Sequence, residues 1–192
     1  MNVKAILFDA DGVAILPGLP FATQFAAEKG FDPANLQSFF QTDFQLALTG
    51  QADLMDLLER HRETWRWTGP IHELLEKWFQ AENHPNPQIS ELIPKLKADG
   101  VLCCLATNQE KHRTRYIADR MFPNLFDHVF SSAQIGHTKP SACFFRAILS
   151  DLKLSPEEIL FLDDSPANVE AGNQAGIRSY LYQPGMDIRL WL

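Results

Sequence analysis

Two carboxylates one residue apart, Asp9 and Asp11, close the apolar run Ala5-Ile6-Leu7-Phe8. A strand of that composition buries readily, but two like charges at its tip do not. Unit charges about 4 Å apart repel by roughly 1 kcal/mol in water and about 4 kcal/mol at an effective dielectric of 20. More polar residues stand at comparable points. Asp163-Asp164 follows Ile159–Leu162, Thr107-Asn108-Gln109 follows Val101–Ala106, and Lys139-Pro140 lies in the loop Gly136–Pro140. Gathered together, the four acids would need a counter-ion. Clustered carboxylate oxygens with waters and phosphate oxygens are what Mg²⁺ selects. One carboxylate of such a set can attack phosphorus while another moves protons. These residue types point to phosphoryl transfer.

Each fragment alone has a plainer reading. Asp-x-Asp-Gly also opens a calcium loop of the EF-hand type. Counted from Asp9, however, position 6 is Ala14 instead of Gly and position 12 is Pro20 instead of Glu, which excludes it. Asp9 and Asp11 suit a surface turn, Thr107-Asn108 a helix cap, Lys139-Pro140 a solvated loop and Asp163-Asp164 a helix dipole. Their joint order carries more weight. Each constellation follows a run expected to be a strand, and open α/β sheets bind ligands at the carboxyl ends of their strands.

The elements that must position these residues are legible from periodicity. Short apolar runs predict strands at Val3–Phe8, Val101–Ala106, His128–Ser131, Ile159–Leu162 and Ile177–Tyr182. Ile89, Leu92, Ile93 and Leu96 recur at helical spacing up to Asp99-Gly100, and further helices are predicted near 110–121, 141–152 and 166–174. Ser165 and Pro166 suit the N-cap and first position of the last. Strands alternating with helices predict an α/β fold, a Rossmann-like doubly wound parallel sheet covered on both faces. Residues 16–85 break the alternation. Phe39, Phe40 and Phe44, then Leu54, Leu57 and Leu58, then Leu74, Leu75, Trp78 and Phe79 recur at helical intervals with no strand among them. The expected organisation is therefore a core of residues 1–15 and 86–192 with an all-helical insertion at 16–85.

Composition narrows the class. At 192 residues, 45% hydrophobic and 21% charged, the chain is an ordinary globular length and mix. Its formal net charge of −7 argues against nucleic acid as a partner, which needs a Lys/Arg-rich face. No apolar stretch approaches the length of a membrane span. Cys103, Cys104 and Cys143 show neither metal-ligand spacing nor a disulfide framework; on a strand the first two point to opposite faces. A cytoplasmic protein, monomer or homodimer, is expected. The six histidines show no metal spacing, and His137 could at most orient Lys139. Trp65, Trp67 and Trp78 suit either a lid or the core of a small helical bundle, and Trp-Arg-Trp at 65–67 cannot place both rings on one helix face.

In these motifs the chain resembles the haloacid-dehalogenase-like (HAD) hydrolase superfamily over nearly its full length. "ILFDADGV" is similar to the first signature, "LATNQ" to the second, "GHTKP" to the third and "LFLDDSPANVEAG" to the fourth. The insertion resembles the small helical cap of subclass I. "TNQEKHRTRYI" and "DDSPANV" resemble the branch holding sugar-phosphate phosphatases and the phosphatase-like domain of soluble epoxide hydrolases.

The resemblance implies roles. Asp9 would be the nucleophile that forms an aspartyl-phosphate, and Asp11 the general acid and then base. Thr107, Asn108 and Lys139 would hold the phosphoryl group. Mg²⁺ would be bound by Asp9, the Asp11 carbonyl and Asp164, with Asp163 acting through water. An acid at position 11 implies phosphate ester cleavage, because dehalogenases of the superfamily release no alkoxide and lack it. Asn168 departs from relatives that carry Asp there. The implied activity is a Mg²⁺-dependent phosphatase on a small phosphorylated substrate, sugar phosphates included. A phosphomutase and a non-catalytic binding protein on the same scaffold are the alternatives.

Overall fold

The computed structural model describes residues 3–191; Met1, Asn2 and Leu192 of the expected core stretches lie outside the described residues. Five parallel strands form one sheet: β1 Ala5–Phe8, β2 Leu102–Thr107, β3 His128–Ser131, β4 Ile159–Asp163 and β5 Arg178–Leu181, in the order β3-β2-β1-β4-β5. Phe8 stands opposite Leu105 on one side and Leu162 on the other. The tips of β2 and β4 therefore flank the tip of β1, at the point where strand order reverses.

Alternation along the strands feeds two cores. Ile6, Phe8, Cys103, Leu105, Leu160 and Leu162 face one side of the sheet. Ala5, Leu7, Cys104, Ala106, Ile159 and Phe161 face the other. The two adjacent cysteines thus point apart as expected, and burial pushes both thiols up to about 12. They are inert packing residues.

Helices α1 Phe21–Lys29, α2 Pro33–Gln41, α3 Asp43–Leu48, α4 Leu54–His61 and α5 Ile71–Ala81 follow β1 without an intervening strand. Asp32 and Asp53 cap α2 and α4 by accepting from Ala34 and Met55 N–H, each at 2.9 Å. The segment leaves and rejoins the sheet through two crossing stretches. Leu16 N–H donates to His84 O and Asn86 N–H to Ala14 O, both at 2.8 Å, and buried Asn86 also gives its amide to Val13 O and Tyr182 Oη. Inside it, Phe39 meets Trp65 edge-on at 4.9 Å, and Trp78 packs on Phe21, Phe40 and Phe44. Trp65 and Trp67 lie in the turn beyond α4, on either side of Arg66, whose φ is 52°; Trp65 is buried and Trp67 half-buried.

The other helices are α6 Pro87–Ala98, α7 Lys111–Tyr116, α8 Ser132–Ile135, α9 Ala142–Leu152 and α10 Pro166–Gln174. Strand ends fall within two residues of expectation. The single helix expected at 110–121 is α7 followed by a π-helical turn, Ile117–Met121, and the short α8 was not expected. Here α7 docks the helical segment. Buried Arg113 donates from Nη1 to Phe79 O and from Nη2 to Glu82 O, at 3.0 and 3.1 Å. Asp53 accepts from Lys111 and His112. Against the upward push of burial, those two bonds hold the Asp53 carboxyl down at about 2.

Phe161 is fully buried, meets Phe145 edge-on at 5.4 Å, and lies 5.4 Å beneath the Lys139 ammonium. Truncating it removes core volume and the floor under that lysine. Phe161→Ala should cost about 3–5 kcal/mol, read as a fall in urea midpoint at unchanged slope.

Candidate active site

Asp9 is the first residue past β1, and its N–H donates to Leu162 O at 2.9 Å, so its position is set by the neighbouring strand. Its Oδ1 accepts from Ala10 N–H at 2.6 Å and from Lys139 Nζ at 2.8 Å. Lys139 Nζ also donates to Asp163 Oδ2 at 2.6 Å. Asp9, Lys139 and Asp163 are all buried, with one ammonium seated between two carboxylates. Asp163 is saturated: Oδ1 also accepts from Ser165 N–H at 2.8 Å, and Asn168 Nδ2 lies 3.0 and 3.1 Å from its two oxygens. An Asp at position 168 could not donate there and would add a third charge against one lysine. The departure at Asn168 therefore fits this site.

The remaining residues complete one strand-end cluster. Thr107 is buried at the end of β2, opposite Ser131 of β3. Asn108 spends its side chain on the backbone of Lys139, donating to its carbonyl at 2.9 Å and accepting its N–H at 2.8 Å. It thereby ties the second signature to the third. The Lys139–Pro140 peptide bond is cis. Asp11 is exposed at the mouth of a cavity, with Oδ2 accepting from Gln109 Nε2 at 2.6 Å. His137 is exposed, and among the described residues no hydrogen bond ties its side chain to this cluster.

One oxygen from each of Asp9, Asp163 and Asp164 lies within 4.8 Å of the others. These are hard oxygen donors of the kind that suits Mg²⁺. Gly12, with φ of 81°, lets the backbone close on that group. A Cβ there would stand 2.0 Å from Asp164 Oδ2, so only glycine fits. Among the described residues no backbone N–H is bonded to the Asp11 carbonyl, which leaves that oxygen available as well.

The electrostatics match a site built around a cation. Burial, offset in part by Lys139 and reinforced by Asp163 and Asp11, raises the Asp9 carboxyl from 3.8 to about 7. Burial and then the charge of Asp163 raise Asp164. Both shifts disfavour the ionised form, and a bound divalent cation would reverse that.

Reasoning from sequence placed Asp9, Asp11, Thr107, Asn108, Lys139, Asp163 and Asp164 at strand ends, and the fold brings them to one edge. It missed the positioning roles of Gln109 on Asp11 and Asn168 on Asp163. Gln109 had a signal, since it extends the polar stretch after β2; the role of Asn168 shows only when α10 is docked.

The five-stranded parallel sheet gathers acids and a lysine at one edge, and comparison identifies the family. The family model for haloacid dehalogenase-like hydrolases matches residues 3–176. The chain belongs to the haloacid dehalogenase-like hydrolase family. It is 26% identical over 205 residues to bifunctional epoxide hydrolase 2 of Mus musculus, covering 94% of this chain but only 36% of that relative. It is also 26% identical over 183 residues to phosphoglycolate phosphatase of Aquifex aeolicus, covering 93% of this chain and 84% of the relative. A HAD family enzyme of Bacteroides thetaiotaomicron, solved in complex with magnesium and inorganic phosphate, matches over all of both chains with a TM-score of 0.84 at 22% identity, a likeness of fold. No helix among the described residues is long and apolar enough to cross a membrane.

The raised pKa of Asp9 carries a signed prediction. Its folded value, about 7, lies above the ordinary 3.8. Its contribution to stability is therefore complete below 3.8 and is lost progressively as pH rises from there to about 7. Without metal, Asp9→Asn should melt well above the parent at pH 8, by less at pH 5, and level with it only below the ordinary carboxylate value of 3.8. Added Mg²⁺ should raise the parent's Tm more at pH 8 than at pH 5.5. Equal shifts at both pH values would contradict the assignment.

Proposed function

We propose that this chain is a Mg²⁺-dependent phosphatase that cleaves phosphate monoesters of small metabolites through an aspartyl-phosphate. The observation that carries the reading is Lys139 seated between Asp9 and Asp163, with Asp164 beside them and Asp11 at the cavity mouth. Membership of the hydrolase family and the likeness to the Aquifex aeolicus phosphatase support it.

In the first half-reaction a carboxylate oxygen of Asp9 bonds to phosphorus as the ester P–O bond breaks. Asp11 gives its proton to the departing alkoxide. In the second, Asp11 takes a proton from water as the water oxygen bonds to phosphorus and the Asp9–phosphorus bond breaks, releasing phosphate. Gln109 holds Asp11 in position for both transfers. Lys139 and the Thr107 hydroxyl bind the equatorial oxygens, where Lys139 offsets developing charge. Asn108 acts by fixing the backbone of Lys139. Asp9, Asp164 and the Asp11 carbonyl would hold Mg²⁺. Asp163, whose oxygens are already occupied, would reach it only through water. The ion supplies charge neutralisation at the phosphoryl oxygens. Residues 16–85 serve in this reading as the cap that covers the site.

The test is hydrolysis of p-nitrophenyl phosphate with and without Mg²⁺. Activity should require the metal, vanish in Asp9→Asn, and fall by about 10²–10⁴-fold in Asp11→Asn. In ¹⁸O-labelled water the released phosphate should carry one solvent oxygen. A fully active Asp9→Asn variant contradicts the reading, and phosphoryl return to the alcohol without label indicates a mutase.

A further inference from the structure

We propose that the cavity beside Asp11 receives an apolar alcohol moiety, so that the substrate is the phosphate monoester of a hydrophobic alcohol and not of a polyol. The inference rests on the phosphatase reading and names its substrate class. The cavity measures about 370 Å³ and lies between the helical segment and the strand-end loops. A cavity of roughly 150 Å³ is enough to hold benzene. Phe40, Phe44, Leu54, Trp78 and Phe79 form its wall together with Ala22 of α1.

Each polar side chain of the same wall is already held by a partner within the protein. Glu82 accepts Phe21 N–H at one oxygen and Trp78 Nε1–H at the other, at 3.1 and 2.9 Å. Arg113 is bonded to two carbonyls, and the Glu110 carboxylate accepts the N–H groups of His112 and Arg113 that open α7. Asn108 closes on Lys139, and Gln109 donates to Asp11. The hydroxyls of a sugar would leave water for an aromatic wall with few partners in exchange, which is unfavourable for each group. A hydrocarbon placed there instead releases water from apolar surface on both sides.

Packing of the helices alone does not account for these rings. Phe25, Phe39 and Trp65 are buried and already form the interior of the segment. Phe40, Phe44 and Trp78 are half-buried and turn part of their surface to the cavity. A leaving group held against them would have its ester oxygen near Asp11.

The test uses the full chain with Mg²⁺ and two series running from methyl to octyl: n-alkyl phosphates as substrates and n-alkylphosphonates as non-hydrolysable ligands. Glucose 6-phosphate and sorbitol 6-phosphate serve as polyol comparisons. Both kcat/KM and phosphonate affinity should rise by roughly twofold to fourfold per methylene, with octyl phosphate preferred over both polyol esters. Ala22→Gln, a helix-compatible change that sets an amide in the wall, should weaken octylphosphonate more than methylphosphonate. A flat or falling dependence on chain length, or a preference for the polyol esters, overturns the inference. The phosphonate titration needs no turnover. Failure to hydrolyse any ester would therefore sink the phosphatase reading, while the dependence of phosphonate affinity on chain length still decides the pocket.

Discussion

One buried ammonium holds the acidic strand-end edge together. Lys139 sits between Asp9 and Asp163 within ion-pair distance of each, and all three are shielded from water. Removing that ammonium would leave buried carboxylates without a counter-charge, which is far costlier than losing a surface pair. The surrounding residues serve this arrangement. Asn168 and Ser165 saturate Asp163, Asn108 fixes the backbone of Lys139, and Phe161 lies beneath the ammonium. Even so, three nearby carboxylates face one lysine, and the raised Asp9 and Asp164 record that imbalance. An oxygen-seeking divalent cation is the natural remedy.

The sheet makes the arrangement possible. With β1 central and β2 and β4 on either side, three chain segments separated by more than fifty residues end at the same level. Strand-end placement suits charged groups because the strand interiors are fully apolar, while the loops beyond them are free to be polar. The Gly12 turn then brings the backbone against Asp164.

Much of this was legible in the sequence because the relevant signals are local. A four-residue apolar run ending in Asp-x-Asp-Gly reveals both a strand and its terminus, and the same holds for Ile159–Asp163 and Leu102–Thr107. Contacts made by docking left weaker traces. Asn168 read as a departure, yet its amide is what the crowded Asp163 requires. Arg113 and Asp53 carried no local mark of joining the helical segment to α7. The aromatics of residues 16–85 announced helices by their spacing, but spacing does not say which rings meet one another and which face a cavity. Phe39 and Trp65 do the first, whereas Phe44 and Trp78 do both. The π-helical turn after α7 lies beyond periodicity altogether.

The central claim is that Asp9, Thr107, Lys139 and Asp164 surround one phosphoryl position. A crystal structure with Mg²⁺ and trifluoroberyllate tests it most directly. The account predicts beryllium bonded to a carboxylate oxygen of Asp9, fluorines within hydrogen-bond reach of Lys139 and Thr107, and the metal between Asp9 and Asp164. Trifluoroberyllate bound away from Asp9, or a metal that leaves Asp164 untouched, would contradict it.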